Sequence, residues 1–240
     1  MSLCSKRPKS NSSCSVVYSG PNAAGSRDRK TGGAIYEVIS WLQTIILKTV
    51  GDEKMAEQKT IKMINGIDTE VMRSVMQSVQ EDPSMARSNL RIRNKWINGS
   101  HNRSTISDFH AAGQDNPHEK PFVADADEPP LLAGKDKAAG PMEYLLHALA
   151  ACLTSTLVYQ AALRGIEIQE IESHLDGDLD VRGFTGLSDD VRKGYESIRV
   201  TFKIKTDEED MEKLKELAKF SAVLDAVSNA TPVDIQVQKK

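Results

Sequence analysis

The stretch PMEYLLHALAACLTSTLVYQAAL, Pro141–Leu163, sets the tightest limit on what this chain can fold into. Pro141 suits the first turn of a helix, where a missing N–H costs nothing. Gly165, just after Arg164, suits a left-handed C-terminal cap. Between them Leu145, Leu146, Leu149, Ala150, Leu153, Leu157 and Val158 put apolar side chains nearly all round the helix. Such a helix belongs in the centre of a structure rather than on its surface. Cys152 sits midway along it, the only cysteine besides Cys4 and Cys14 in a serine-rich N-terminal segment. A lone thiol on an apolar helix ordinarily behaves as a small hydrophobe. To act as a redox nucleophile it needs solvent access and a nearby cation to hold the thiolate.

A chain of 240 residues holds one full domain with a sizeable core, plus an extension. Its 31 basic and 34 acidic residues leave a net charge of −3, so no general attraction to nucleic acid or to an anionic membrane is expected. Aromatic residues at 5% argue against a base-stacking surface. Three cysteines without CxxC spacing give neither a disulfide framework nor a zinc site, and make a reducing, cytoplasmic setting the default. The apolar run at 34–50 is short and contains Glu37, Gln43 and Lys48, so it reads as an amphipathic helix and not a membrane span.

Residues 1–33, rich in Ser, Gly, Lys and Arg, are expected to be disordered. Residues 1–54 fit a transit peptide, a regulatory tail, or a translated upstream stretch with Met55 as the natural start. The last is favoured because the domain-like pattern begins just after Met55, which makes 55–240 the folded domain. Expression from Met55 is then expected to cost neither folding nor activity.

Within 55–240, residues 67–80 read as a helix capped by Asp68 or Thr69, with Val71, Val75 and Val79 at i+4 spacing and a stop at Asp82-Pro83. Residues 89–97 alternate as a strand, Asn98-Gly99 marks a hairpin turn, 102–109 returns, and 122–124 is a short third strand. His101, His110 and His118 fall with Asp108 and Asp115 in a stretch that reads as loop-rich. After the central helix, 166–182 and 197–204 are strands. Thr206-x-x-Glu209 reads as a capping box opening a helix over 207–220, followed by a short helix at 222–227 and a last strand at 233–237. The order is α+β, with no βαβ run to suggest a parallel sheet.

The sequence carries no Gly-rich phosphate loop, HExxH or GxSxG, and no histidine has a partner at metal spacing, so neither cofactor nor metal is expected. His147 lies five residues before Cys152, about 140° round the helix, and cannot activate that thiol within its own chain.

GPMEYLLHALAACLTSTLVYQAALRGIEI resembles the central helix of the OsmC/Ohr family of thiol peroxidases. The likeness extends to the hairpin WINGSHNRSTI and to FSAVLDAVSNATPVDI, covering roughly 60–240. It implies an OsmC-like α+β fold, with two antiparallel β-sheet regions around the long central helices of an intertwined homodimer and active sites at the subunit interface. It further implies peroxide chemistry at a helix cysteine, here Cys152. The thiolate would be held by an arginine best matched by Arg103, with Arg91 and Arg93 close by. The glutamate that orients this arginine corresponds to Met142, with Glu143 matching the next residue of the motif. The resolving cysteine corresponds to Ser221. A serine cannot form the internal disulfide, so the resemblance leaves two readings. One is a single-cysteine hydroperoxide reductase of the oxidative stress response, served by an external thiol reductant. The other is a non-peroxidase dimer that binds a small apolar or thiol-reactive ligand at the interface.

Overall fold

The computed structural model describes residues 63–240, all within the compact unit Lys59–Lys240. The expectations for residues 1–54, Cys4 and Cys14 among them, lie outside the described residues.

A short antiparallel pair opens the described chain, β1 (Met63–Ile64) and β2 (Ile67–Asp68). The pair turns on Asn65 and Gly66, both at positive φ, the backbone for which Asn-Gly is suited. The Asn65 side chain also clips this hairpin to the far end of the central helix. Its Nδ2 donates to the Ile166 carbonyl at 3.0 Å, and its Oδ1 accepts from the Ile168 N–H at 2.7 Å. Helix α1 (Thr69–Glu81) starts two residues later than the periodicity predicts, because Ile67 and Asp68 are paired to β1. Asp68 caps it, accepting from the N–H groups of Glu70 and Val71.

A four-stranded antiparallel sheet follows. The predicted strand at 89–97 is two pieces, β3 (Ser88–Leu90) and β4 (Arg93–Asn98), both paired to one edge of β5 (His101–Ala111). On the other edge lies β6 (Gln114–Ala126), far longer than the expected 122–124. Its length was masked by Pro117 and Pro121, which lack the N–H a ladder needs; the register shifts between Ile106 and Asp108 of β5, opposite this stretch. The turn from β5 to β6 uses Ala112 and Gly113 at positive φ, and alanine gives little warning of such a turn. His101, His110 and His118 therefore stand on strands and not in loops.

Helix α2 (Pro141–Leu163) matches its sequence limits. Gly140 caps it, with the Glu143 carboxylate accepting the Gly140 N–H at 2.7 Å. Strand β7 (Ile168–Asp178) ends short of the predicted residue 182, and the one-turn helix α3 (Val181–Phe184) takes up the remainder. Strand β8 (Ser197–Thr206) pairs antiparallel with β7. Helix α4 (Met211–Ala218) is capped by Asp210 and not by the expected box at Thr206. The Thr206 hydroxyl instead donates to the Glu167 carbonyl at 2.6 Å. Helix α5 (Ala222–Ser228) is capped by Ser221. Residues 233–237, predicted as a strand, find no partner strand among the described residues, and Val233, Ile235 and Val237 are exposed.

The core lies along one stripe of α2. Leu149, Leu153, Leu157 and Ala161, spaced at i+4, bury against Ile166 and against Leu214, Leu217 and Ala218 of α4. Ile171, Leu175, Ile198, Phe202 and Ile204 close it from the β7–β8 sheet. Leu157 is 1% exposed, so Leu157→Ala is expected to lower unfolding stability by about 2–5 kcal/mol, read from denaturant titration. The opposite side of α2, at Ala148, Ala151, Ser155 and Tyr159, is open in the single chain. Of the described helices α2 alone is long and apolar enough to cross a membrane, but its buried stripe packs on charged, amphipathic elements of its own domain.

Candidate functional site

Cys152 is half-buried on α2, where the start of α5 meets the helix. Its sulfur lies 3.9 Å from Thr156 Oγ1, one turn along the same helix. Burial pushes the thiol up, but the hydrogen bonds together outweigh it, Ser221 foremost, and the thiol lies below the ordinary cysteine value. Among the described residues, what lowers the thiol is hydrogen bonding to uncharged groups and not a cation.

Arg103 stands elsewhere in the chain. Its Nε and Nη2 donate to Asp125 Oδ1 and Oδ2 at 2.6 and 2.8 Å, a bidentate pair across β5 and β6. The Arg103 hydrogen bond leads in holding the Asp125 carboxyl well below the usual carboxylate range, and Asp125 raises the guanidinium in turn. His101 Nε2 lies 3.3 Å from Asp125 Oδ2, poorly aligned for a hydrogen bond. The pleat places Arg103, Asp125 and Lys95 on one face of the sheet and Trp96, Ile106 and Phe122 on the other. Within one chain, therefore, Arg103 answers to Asp125 and the polar partners of Cys152 come from α2 and α5. Arg91 bridges Asp108 at 2.7 Å and Asp115 at 2.9 Å, and Arg93 pairs with Thr105 in the ladder.

At the start of α2, Met142 and Glu143 border a cleft of about 380 Å³ with Glu128, Phe184 and Lys193. Glu143 is engaged by the Gly140 N–H, and the Met142 carbonyl accepts from the Tyr195 hydroxyl at 3.0 Å. Tyr144 of the same turn donates to the Asp125 carbonyl at 2.7 Å, tying the helix start to β6. His147 is exposed on the open side of α2, away from the thiol's partners. Among the described residues no group of three His, Cys, Asp or Glu side chains could hold a metal ion. His110 and Asp115 pair with each other at 2.9 Å, and Arg91 already occupies the carboxylates beside them.

Sequence reasoning did not find Thr156 as the polar neighbour of Cys152, although it lies at i+4 from the thiol. Asp125 was hidden because β6 was read as three residues long.

An α+β domain whose central helix carries a hydrogen-bonded cysteine defines the class. Residues 134–236 match the sequence model of the family described as OsmC-like protein, and the chain carries an OsmC-like domain. The match spans α2, Cys152 and Ser221 but begins beyond Arg103 and Asp125. Similar solved structures include an OsmC-like protein from Mycoplasma pneumoniae, at 18% identity and TM-score 0.43, covering 59% of this chain and 89% of that one. An organic hydroperoxide resistance protein OsmC from Legionella pneumophila aligns at 14% identity and TM-score 0.37, covering 57% of this chain and 88% of that one. An OsmC-like protein of unknown function from Vibrio cholerae aligns at 12% identity and TM-score 0.39, covering 60% and 96%. No curated protein matches the chain in sequence.

Proposed function

We propose that this protein is a homodimeric, thiol-dependent reductase of organic hydroperoxides that works through the single cysteine Cys152. The observation that carries the reading is a free, half-buried cysteine at the centre of α2, inside the OsmC-like match, with its sulfur 3.9 Å from Thr156 Oγ1. The Cys152 thiolate attacks the outer oxygen of the hydroperoxide; an S–O bond forms and the O–O bond breaks. The sulfur is oxidised to a sulfenic acid and the peroxide is reduced to an alcohol, its alkoxide taking up a proton. Ser221 offers no second thiol, so an external thiol attacks the sulfenic sulfur and releases water. A second external thiol displaces the mixed disulfide, leaving a low-molecular-weight disulfide and the Cys152 thiolate. The cycle suits a cytoplasmic setting, where such thiols are kept reduced.

The homodimer is proposed from surfaces that one chain leaves uncovered. Trp96 is 68% exposed, Phe122 61% and Leu90 80%, and one side of α2 is open as well. Exposed apolar surface, where contiguous, commonly marks an interface. Any contribution of Arg103 to the thiolate would come from the second copy, with Asp125 orienting the guanidinium in place of a carboxylate at position 142. Sedimentation of the wild-type protein is expected to give a dimer, and Phe122→Glu to shift it toward monomer; a wild-type monomer would remove the shared-site arrangement. Purified protein with cumene hydroperoxide and a dithiol is expected to consume peroxide. Consumption no faster than buffer would remove the enzymatic reading and leave the ligand-binding one.

A further inference from the structure

We infer that Asn98, and not Asn65, is a site of spontaneous covalent modification, its amide lost to attack by the Gly99 backbone nitrogen. The sequence holds two Asn-Gly pairs, and both stand at hairpin turns: Asn65-Gly66 between β1 and β2, and Asn98-Gly99 between β4 and β5. Asparagine is a chemically labile residue. A following glycine makes it more so, because no Cβ shields the backbone nitrogen from the side-chain amide.

The fold treats the two asparagines differently. Asn65 is held at both ends of its amide, Nδ2 donating to the Ile166 carbonyl at 3.0 Å and Oδ1 accepting from the Ile168 N–H at 2.7 Å. Ring closure there has to break both bonds. Asn98 is exposed, and among the described residues neither its side chain nor the Gly99 N–H makes a hydrogen bond. Gly99 stands at φ 59, and the space where a side chain would begin is empty to 4 Å. Gly66 is equally open, so the difference between the sites lies in the asparagine side chains. The β4–β5 ladder is also irregular between Trp96 and Asn98, which sets that strand end less firmly than a regular pair would.

The Gly99 nitrogen attacks Asn98 Cγ. A C–N bond forms, the Cγ–Nδ2 bond breaks, and ammonia leaves with the proton from the Gly99 amide. Water then opens the cyclic imide at either carbonyl, giving aspartate or isoaspartate, and no oxidant or reductant takes part. Both products add a negative charge to the hairpin tip. The isoaspartyl form also lengthens the main chain by one methylene, next to the Gly99 carbonyl that accepts from Trp96 Nε1 at 2.8 Å.

The test is peptide mapping by mass of the full chain after incubation in mildly alkaline, heavy-oxygen water, once native and once in denaturant. In the native chain the Asn98 peptide is expected to become acidic, take up one solvent oxygen, and separate into aspartyl and isoaspartyl forms. Each hydrogen bond that must break slows closure by a factor of about five, so native Asn65 is expected to convert roughly twentyfold more slowly. In denaturant, where those bonds are gone, the two sites convert at similar rates. A native Asn98 that keeps its amide while the denatured chain loses it would overturn the inference, because the hairpin would then protect the site. Equal native rates at Asn65 and Asn98 would overturn it as well, since the bonds to Ile166 and Ile168 would not be what separates the two.

Discussion

Replacing Cys152 by serine is expected to end hydroperoxide consumption outright. Removing the attacking atom of a nucleophilic enzyme costs on the order of 10⁴-fold or more in rate, and the described residues hold no second thiol to take over. Cys152 is half-buried beside Leu153, with a hydroxyl partner at Thr156. The nearly isosteric serine keeps those contacts, so Cys152→Ser should stay folded, with a Tm close to wild type. The comparison is therefore of chemistry and not of folding. Consumption by Cys152→Ser equal to wild type would place the activity on another group.

The second large effect is expected from Ser221→Cys. Ser221 caps α5, which packs on α2, and a disulfide needs Cβ atoms about 3.5–4.5 Å apart with an S–S bond near 2.05 Å. A thiol placed there is expected to attack the Cys152 sulfenic acid, releasing water and closing an intramolecular disulfide. One peroxide would then be consumed per bridge, and turnover would pass from monothiols to dithiols able to reopen it. Closing a loop of roughly 70 residues would also stabilise the oxidised chain, by up to about 4 kcal/mol. Peptide mapping after one equivalent of peroxide reads the bridge directly. Mixed disulfides with added monothiol, and no bridge, would mean that position 221 is not in line with the oxidised sulfur.

Different parts of this fold were legible to different degrees, for physical reasons. Helix α2 was readable end to end because Pro141, Gly165 and an apolar run are strong local signals. Strands β5 and β6 were harder. Their joining turn depends on Ala112 at positive φ, and two prolines interrupt the pattern of β6. The start of α4 was misplaced because Thr206 is bonded to Glu167 and leaves the cap to Asp210. The segment at 233–237 has strand periodicity, but pairing depends on a partner that no local pattern names.

The candidate site divides in the same way. Cys152 stood out by its place on α2, and Ser221 stood out only as the place of a missing second cysteine. How near position 221 comes to the thiol depends on how α5 packs on α2, between residues 69 positions apart in sequence. The partner of Arg103 was equally remote, since Asp125 reaches it only through the β5–β6 register.

The most direct measurement is a mass analysis of the protein after one equivalent of organic hydroperoxide in the presence of a sulfenic-acid trap. One trapped adduct per chain on the Cys152 peptide, absent in Cys152→Ser, with one alcohol formed per adduct, is the expected result. An unmodified Cys152 with peroxide left intact would show that the thiol, however well hydrogen-bonded, is not a peroxidatic nucleophile.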